Sequence, residues 1–102
     1  MQKWIEDFRR KVIKKYSPTK IILFGSRARH DNFIESDIDI VIISDKFSNI
    51  KWPNRLALVS DLWKGLITIE PLCYTNEEFN KKKEEIGIVA AAVKEGVELA
   101  VS

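Results

Sequence analysis

Trp4, Ile5, Phe8, Val12, Ile13 and Tyr16 recur at three- and four-residue spacing, with basic residues filling the positions between them. That is the helical period, so residues 2 to 16 are predicted to form an amphipathic helix. Ser17-Pro18 ends it, because the residue before a proline is pushed out of the α region. The period then changes. Ile21-Ile22-Leu23-Phe24 is a solid apolar run, too short for a helix and rich in branched side chains, and Gly25-Ser26 stops it. A buried strand followed by a tight turn is expected there. Residues 26 to 35 are polar and irregular, with room for one helical turn from Arg27 to His30, before Asp37-Ile38-Asp39-Ile40-Val41-Ile42-Ile43 gives a second strand.

A loop begins at Ser44, and Pro53 suits the first turn of a helix because its missing N–H would have no partner there. Leu56, Val59 and Trp63 make the apolar side of that helix through about Lys64, with Gly65 closing it. Residues 66 to 72 read as a third strand, and Thr75-Asn76-Glu77-Glu78 fits a capping box that opens another helix. Its charged run through Glu85 gives way to Ile88, Val89, Ala92 and Val93, with a break at Gly87, a C-terminal cap at Gly96 and a short edge strand over residues 97 to 101. Helix, strand, strand, helix, strand, helix, helix is the order of an α+β protein, a sheet and helices in packed layers.

The chain has 102 residues, which fits one domain spanning 1–102 and leaves no room for a separate acceptor-binding domain. One cysteine, Cys73, and one histidine, His30, rule out a disulfide framework and a cysteine-rich zinc site, so any metal chemistry must use carboxylates. Cys73 reads as a small core residue. The start, Met1-Gln2-Lys3-Trp4, runs straight into charges and lacks the apolar centre of a signal peptide, so a cytoplasmic protein is expected. No apolar run approaches the roughly 18 residues of a membrane span. The net charge of +2 conceals a basic N-terminal stretch. It reads as a solvated helix face more than a nucleic-acid patch, because aromatic residues do not interleave with its basic side, and any nucleic-acid contact should be weak or indirect.

The chemistry gathers at three places. Asp37 and Asp39 are two apart on a strand, so their carboxylates leave the same face from backbone positions about 6.6 Å apart. Side by side they repel and resist desolvation, and a divalent cation is the simplest neutralising agent. Hard oxygen ligands favour magnesium or manganese, and paired carboxylates can bridge two ions for in-line phosphoryl displacement. Taken alone, an Asp-x-Asp pair is equally consistent with a solvated strand end. Gly25-Ser26 leaves a buried strand where a following turn would aim backbone N–H groups outward, and Arg27 adds a cationic fork, a combination suited to phosphate. Glu70 closes the apolar run Ile67-Thr68-Ile69 just before Pro71, and by itself would be an ordinary surface acid. Phe47, Ile50 and Trp52 surround a polar loop and offer a possible contact patch.

Gly25-Ser26, then Asp37-Ile38-Asp39, then an acid on the next apolar strand resemble the polymerase-beta-type nucleotidyltransferase superfamily. Gly25-Ser26-Arg27-Ala28-Arg29 and Ser36-Asp37-Ile38-Asp39 resemble in particular the minimal nucleotidyltransferases encoded beside a HEPN-domain toxin. The resemblance implies a small mixed sheet flanked by helices. It implies a triphosphate held by Gly25, Ser26 and Arg27, two Mg2+ ions (or Mn2+) on Asp37 and Asp39, and Glu70 as third metal ligand or base. It further implies ATP as substrate and AMP transfer to a hydroxyl, a tyrosine of the HEPN partner, so that the chain acts as an antitoxin. His30, where such proteins commonly carry glycine, and a glutamate in place of an aspartate at position 70 depart from the pattern. Two rival readings remain, a small-molecule transferase acting on a substrate such as an aminoglycoside, and an antitoxin that works by binding alone.

Overall fold

A computed structural model describes residues 3–24, 38–65, 69–85 and 87–101. In chain order these form α1 (Lys3–Tyr16), β1 (Lys20–Phe24), β2 (Ile38–Ile43), a 3-10 turn (Asp45–Phe47), α2 (Trp52–Ser60), β3 (Ile69–Tyr74), α3 (Asn76–Lys82), α4 (Ile88–Glu95) and β4 (Val97–Leu99). The strands make one mixed sheet in the order β3-β2-β1-β4. β1 is antiparallel to both β2 and β4, and β2 is parallel to β3. The α+β class is as the sequence predicts.

Strand alternation divides the core in two. On one face Ile21, Leu23, Ile40, Ile42 and Cys73 pack against Ile5, Phe8 and Val12 of α1 and Val59 of α2. On the other, Ile22, Val41, Ile43 and Tyr74 pack against Phe79 of α3 and Val89 and Ala92 of α4. A sheet covered on both sides needs apolar residues at every strand position, which is why β1 and β2 read as unbroken apolar runs. The face that carries Asp39 is therefore no polar face: it continues into buried Val41 and Ile43.

The capping box forms as read from the sequence. Thr75 Oγ1 accepts from the Glu78 N–H at 3.2 Å, and Glu78 Oε1 accepts from the Thr75 N–H at 2.8 Å. Gly96 ends α4, its N–H donating to Ala92 O. A side chain there would crowd Ala92 O and Ile22 Cγ2, each 2.5 Å from the Cβ position, so glycine lets the chain turn tightly into β4. On α1, Glu6 pairs with Arg9 and Arg10, and Asp7 with Lys11, which offsets part of the basic stretch within the helix itself.

Three expectations need correction. α2 ends at Ser60, capped by Asp61, and does not run on to Lys64. Its inward stripe is Arg55 and Val59, while Leu56 is exposed. Arg55 is drawn in because its Nε donates to Ile50 O at 2.7 Å and its Nη1 to Cys73 O at 3.1 Å, with the Glu78 carboxylate beside it at 2.6 Å. Buried polar hydrogens with three fixed acceptors outweigh the burial of a leucine. Phe47 is fully buried, stacked 4.9 Å from Tyr16, and so drops out of the proposed contact patch. β3 begins at Ile69 and runs two residues beyond the expected end, through buried Cys73 and Tyr74, because it pairs with β2 as far as Ile43. Residues 66–68, where that strand was expected to begin, lie outside the described residues, as does the helical turn expected from Arg27 to His30.

Candidate active site

The register of the sheet places the acids. Antiparallel pairing sets Phe24, the last residue of β1, opposite Asp39. Parallel pairing sets Asp39 opposite Glu70. Residues opposite one another in adjacent strands point to the same side, and neighbouring strands are about 4.8 Å apart. Phe24, Asp39 and Glu70 thus form a transverse row at one end of the sheet, on the face covered by α3 and α4. Phe24 and Asp39 are half-buried and Glu70 is exposed, so the row opens outward at the β3 edge. β1 ends at Phe24, beside Asp39.

Asp37, Gly25, Ser26 and Arg27 lie outside the described residues, and so do Arg29 and His30. Among the described residues, no set of three or more His, Cys, Asp or Glu side chains is grouped to hold a metal ion. Asp39 and Glu70 supply two hard-oxygen donors side by side with solvent access, a donor set suited to a divalent cation such as magnesium. Sequence reasoning placed Asp39 and Glu70 on separate strands and could not pair them, since parallel register is set by long-range packing. Phe24 went unremarked as a site neighbour, because its position follows from the same pairing.

Outside the row, Cys73 is buried and burial pushes its thiol up to about 12, which keeps it protonated and unreactive at neutral pH. Glu6 is held at about 2, first by the hydrogen bond from Arg9. Both groups serve the scaffold. On the α1 face, Trp63 packs on Trp4 and Phe8 with ring centroids 5.3 and 5.4 Å apart.

Residues 5–97 match the nucleotidyltransferase domain family, and the chain belongs to it. It is a nucleotidyltransferase. A Methanocaldococcus jannaschii protein named "Putative protein adenylyltransferase" is 38% identical over 84 residues, covering 79% of this chain and 80% of that one. Among solved structures, a Sulfolobus solfataricus protein titled as a putative nucleotidyltransferase superposes with a TM-score of 0.63 at 23% identity, over 94% of this chain and 76% of that one. BolA1 from Arabidopsis thaliana superposes almost as well, with a TM-score of 0.61 at 19% identity over 76% of this chain and 98% of that one. The fold alone therefore does not specify the chemistry, and the family match does. Among the described residues, no helix is long and apolar enough to cross a membrane.

Proposed function

We propose that this protein transfers AMP from ATP to a hydroxyl group of a partner protein, a tyrosine of a HEPN-type toxin, and so acts as an antitoxin in the cytoplasm. The observation that carries the transfer reading is the register pairing of Asp39 with Glu70 beside the exit of β1. It sets two of the three proposed carboxylates side by side at the end of the sheet where β1 ends. That the acceptor is a protein is supported by the name of the M. jannaschii relative, a protein adenylyltransferase.

In this reading Asp37 and Asp39 hold magnesium, with Glu70 as third ligand or as the base that takes the acceptor's proton. The metal, when bound, supplies charge neutralisation at the phosphate under attack and at the leaving pyrophosphate. Gly25 allows close approach of the triphosphate, and Ser26 and Arg27 donate hydrogen bonds to the leaving phosphates. Phe24, next in the row, walls one side of Asp39.

The test is intact-mass spectrometry of a HEPN-type toxin chain after incubation with this protein, ATP and magnesium. The expected result is the added mass of one or more AMP groups, lost with Asp39→Asn. Glu70→Gln should leave ATP binding near wild type while lowering turnover. An unmodified partner whose activity is suppressed equally by wild type and Asp39→Asn would establish neutralisation by binding alone.

A further inference from the structure

The transverse row at the end of the sheet is lopsided in its chemistry. Asp39 has the acid Glu70 on its β3 side and the ring of Phe24 on its β1 side. Behind it, two residues along β2 on the same face, stands Val41, which is fully buried. Opposed residues of an antiparallel pair have Cβ atoms about 4.5 to 5.5 Å apart, near enough for an aromatic ring to cover the flank of a carboxylate. On its other side Phe24 has no such neighbour. Continued by one residue, the β1–β4 register sets Gly96 there, at a position where a side chain would collide with Ile22. The ring is half-buried and packs on the cluster that contains Ile22, Val41 and Val89. Phe24 is thus held from the core side, and the side chain next to it in the row is that of Asp39.

A half-buried carboxylate with an apolar ring on one flank and a buried valine behind it is poorly solvated on both sides, a cost that a cation offsets. Excluding water from those sides also lowers the local dielectric, and the attraction of a carboxylate for a divalent ion grows as the dielectric falls. The third side belongs to Glu70, a second like charge that calls for the same ion. We infer that Phe24 is a positioning residue for the catalytic cation. It acts through Asp39, keeping water from one flank of that carboxylate and turning it toward Glu70, so that the two acids share an ion. That a cation sits at Asp39 rests on the function proposed above, and the role of Phe24 is measurable without any nucleotidyl transfer.

A packing role alone would make Phe24 equivalent to Phe79, which fills the same cluster beside Lys20, the first residue of β1, where Phe24 is the last. Binding of Mn2+ to the full-length chain, followed without nucleotide by the electron paramagnetic resonance of the free ion, separates the two. Shrinking the side chain in the series Phe24→Leu, Phe24→Val and Phe24→Ala should weaken Mn2+ binding step by step, reaching about tenfold at alanine, the lower range for loss of an outer-shell partner. Phe79→Leu, distant from the acids, should leave the affinity within about twofold of wild type. Asp39→Asn should weaken binding at least as much as any Phe24 variant. Circular dichroism identifies the variants that remain folded, and the leucine and valine steps carry the trend if alanine is not among them. A flat series across the folded Phe24 variants overturns the inference, and so does a Phe79→Leu loss as large as that of Phe24→Leu, which would reduce both rings to packing. A flat series with Asp39-dependent binding rejects the role of Phe24 alone, whereas equal Mn2+ affinity of wild type and Asp39→Asn rejects the proposed cation at Asp39 and Phe24 with it.

Discussion

Arg55 is the side chain whose removal should cost this fold most for its size. Its guanidinium is almost wholly buried and holds three segments together: the loop before α2 through Ile50 O, β3 through Cys73 O, and α3 through Glu78. It also lies 5.8 and 5.9 Å from the Trp52 and Phe47 rings. Arg55→Met keeps the bulk and removes every donor. Two carbonyls then lose a charged partner at about 1 to 3 kcal/mol each, while Glu78, with a 44% exposed side chain, turns to water and adds little. The expected loss is about 3 kcal/mol, a fall in Tm of roughly 12 to 24 °C for a chain of this length. Glu78→Gln should cost only about 1 kcal/mol, because the amide oxygen can still accept from the Thr75 N–H. Urea unfolding followed by circular dichroism measures both. A loss below about 1 kcal/mol for Arg55→Met at unchanged m-value would refute the claim that the guanidinium bridges these elements. The pH dependence has a definite sign. The Arg55 hydrogen bond holds the Glu78 carboxyl below its ordinary 4.5. Its contribution is therefore complete above that value, is lost as pH falls through the lower folded value, and should shrink in Arg55→Met to the part that the Thr75 N–H supplies.

The phenol oxygen of Tyr16 is buried with no hydrogen-bond partner among the described residues, so Tyr16→Phe should be neutral or stabilising by up to about 1 kcal/mol in the same urea assay. At Gly65 a Cβ would run into the rings of Trp4 and Trp63, so Gly65→Ala should destabilise by about 1 to 3 kcal/mol, and paired Gly65→Ala, Trp63→Phe should recover part of it in a double-mutant cycle. Cys73, buried and with its thiol pushed up to about 12, should resist a disulfide reagent at neutral pH in the native protein and react at once in denaturant.

Local patterns in the chain carried a good deal of this. The helical period of residues 2 to 16 yields α1, the capping-box residues Thr75 and Glu78 start α3, and the solid runs at 21 to 24 and 38 to 43 yield two strands buried on both faces, all because each depends on neighbours within a turn or a strand. The acids could be singled out as well, since a carboxylate within or at the end of an apolar strand demands a reason. Tertiary structure alone decided the rest. Arg55 faces inward, and Leu56 outward, because the acceptors that make burial of a cation favourable lie five, eighteen and twenty-three residues away. Phe47 closes over Tyr16 from a segment that reads as a polar loop. Asp39 stands beside Glu70 only through the parallel register of β2 and β3. That register is set by how α2 and the two cores pack between the strands, and a slip of one residue would turn Glu70 to the opposite face.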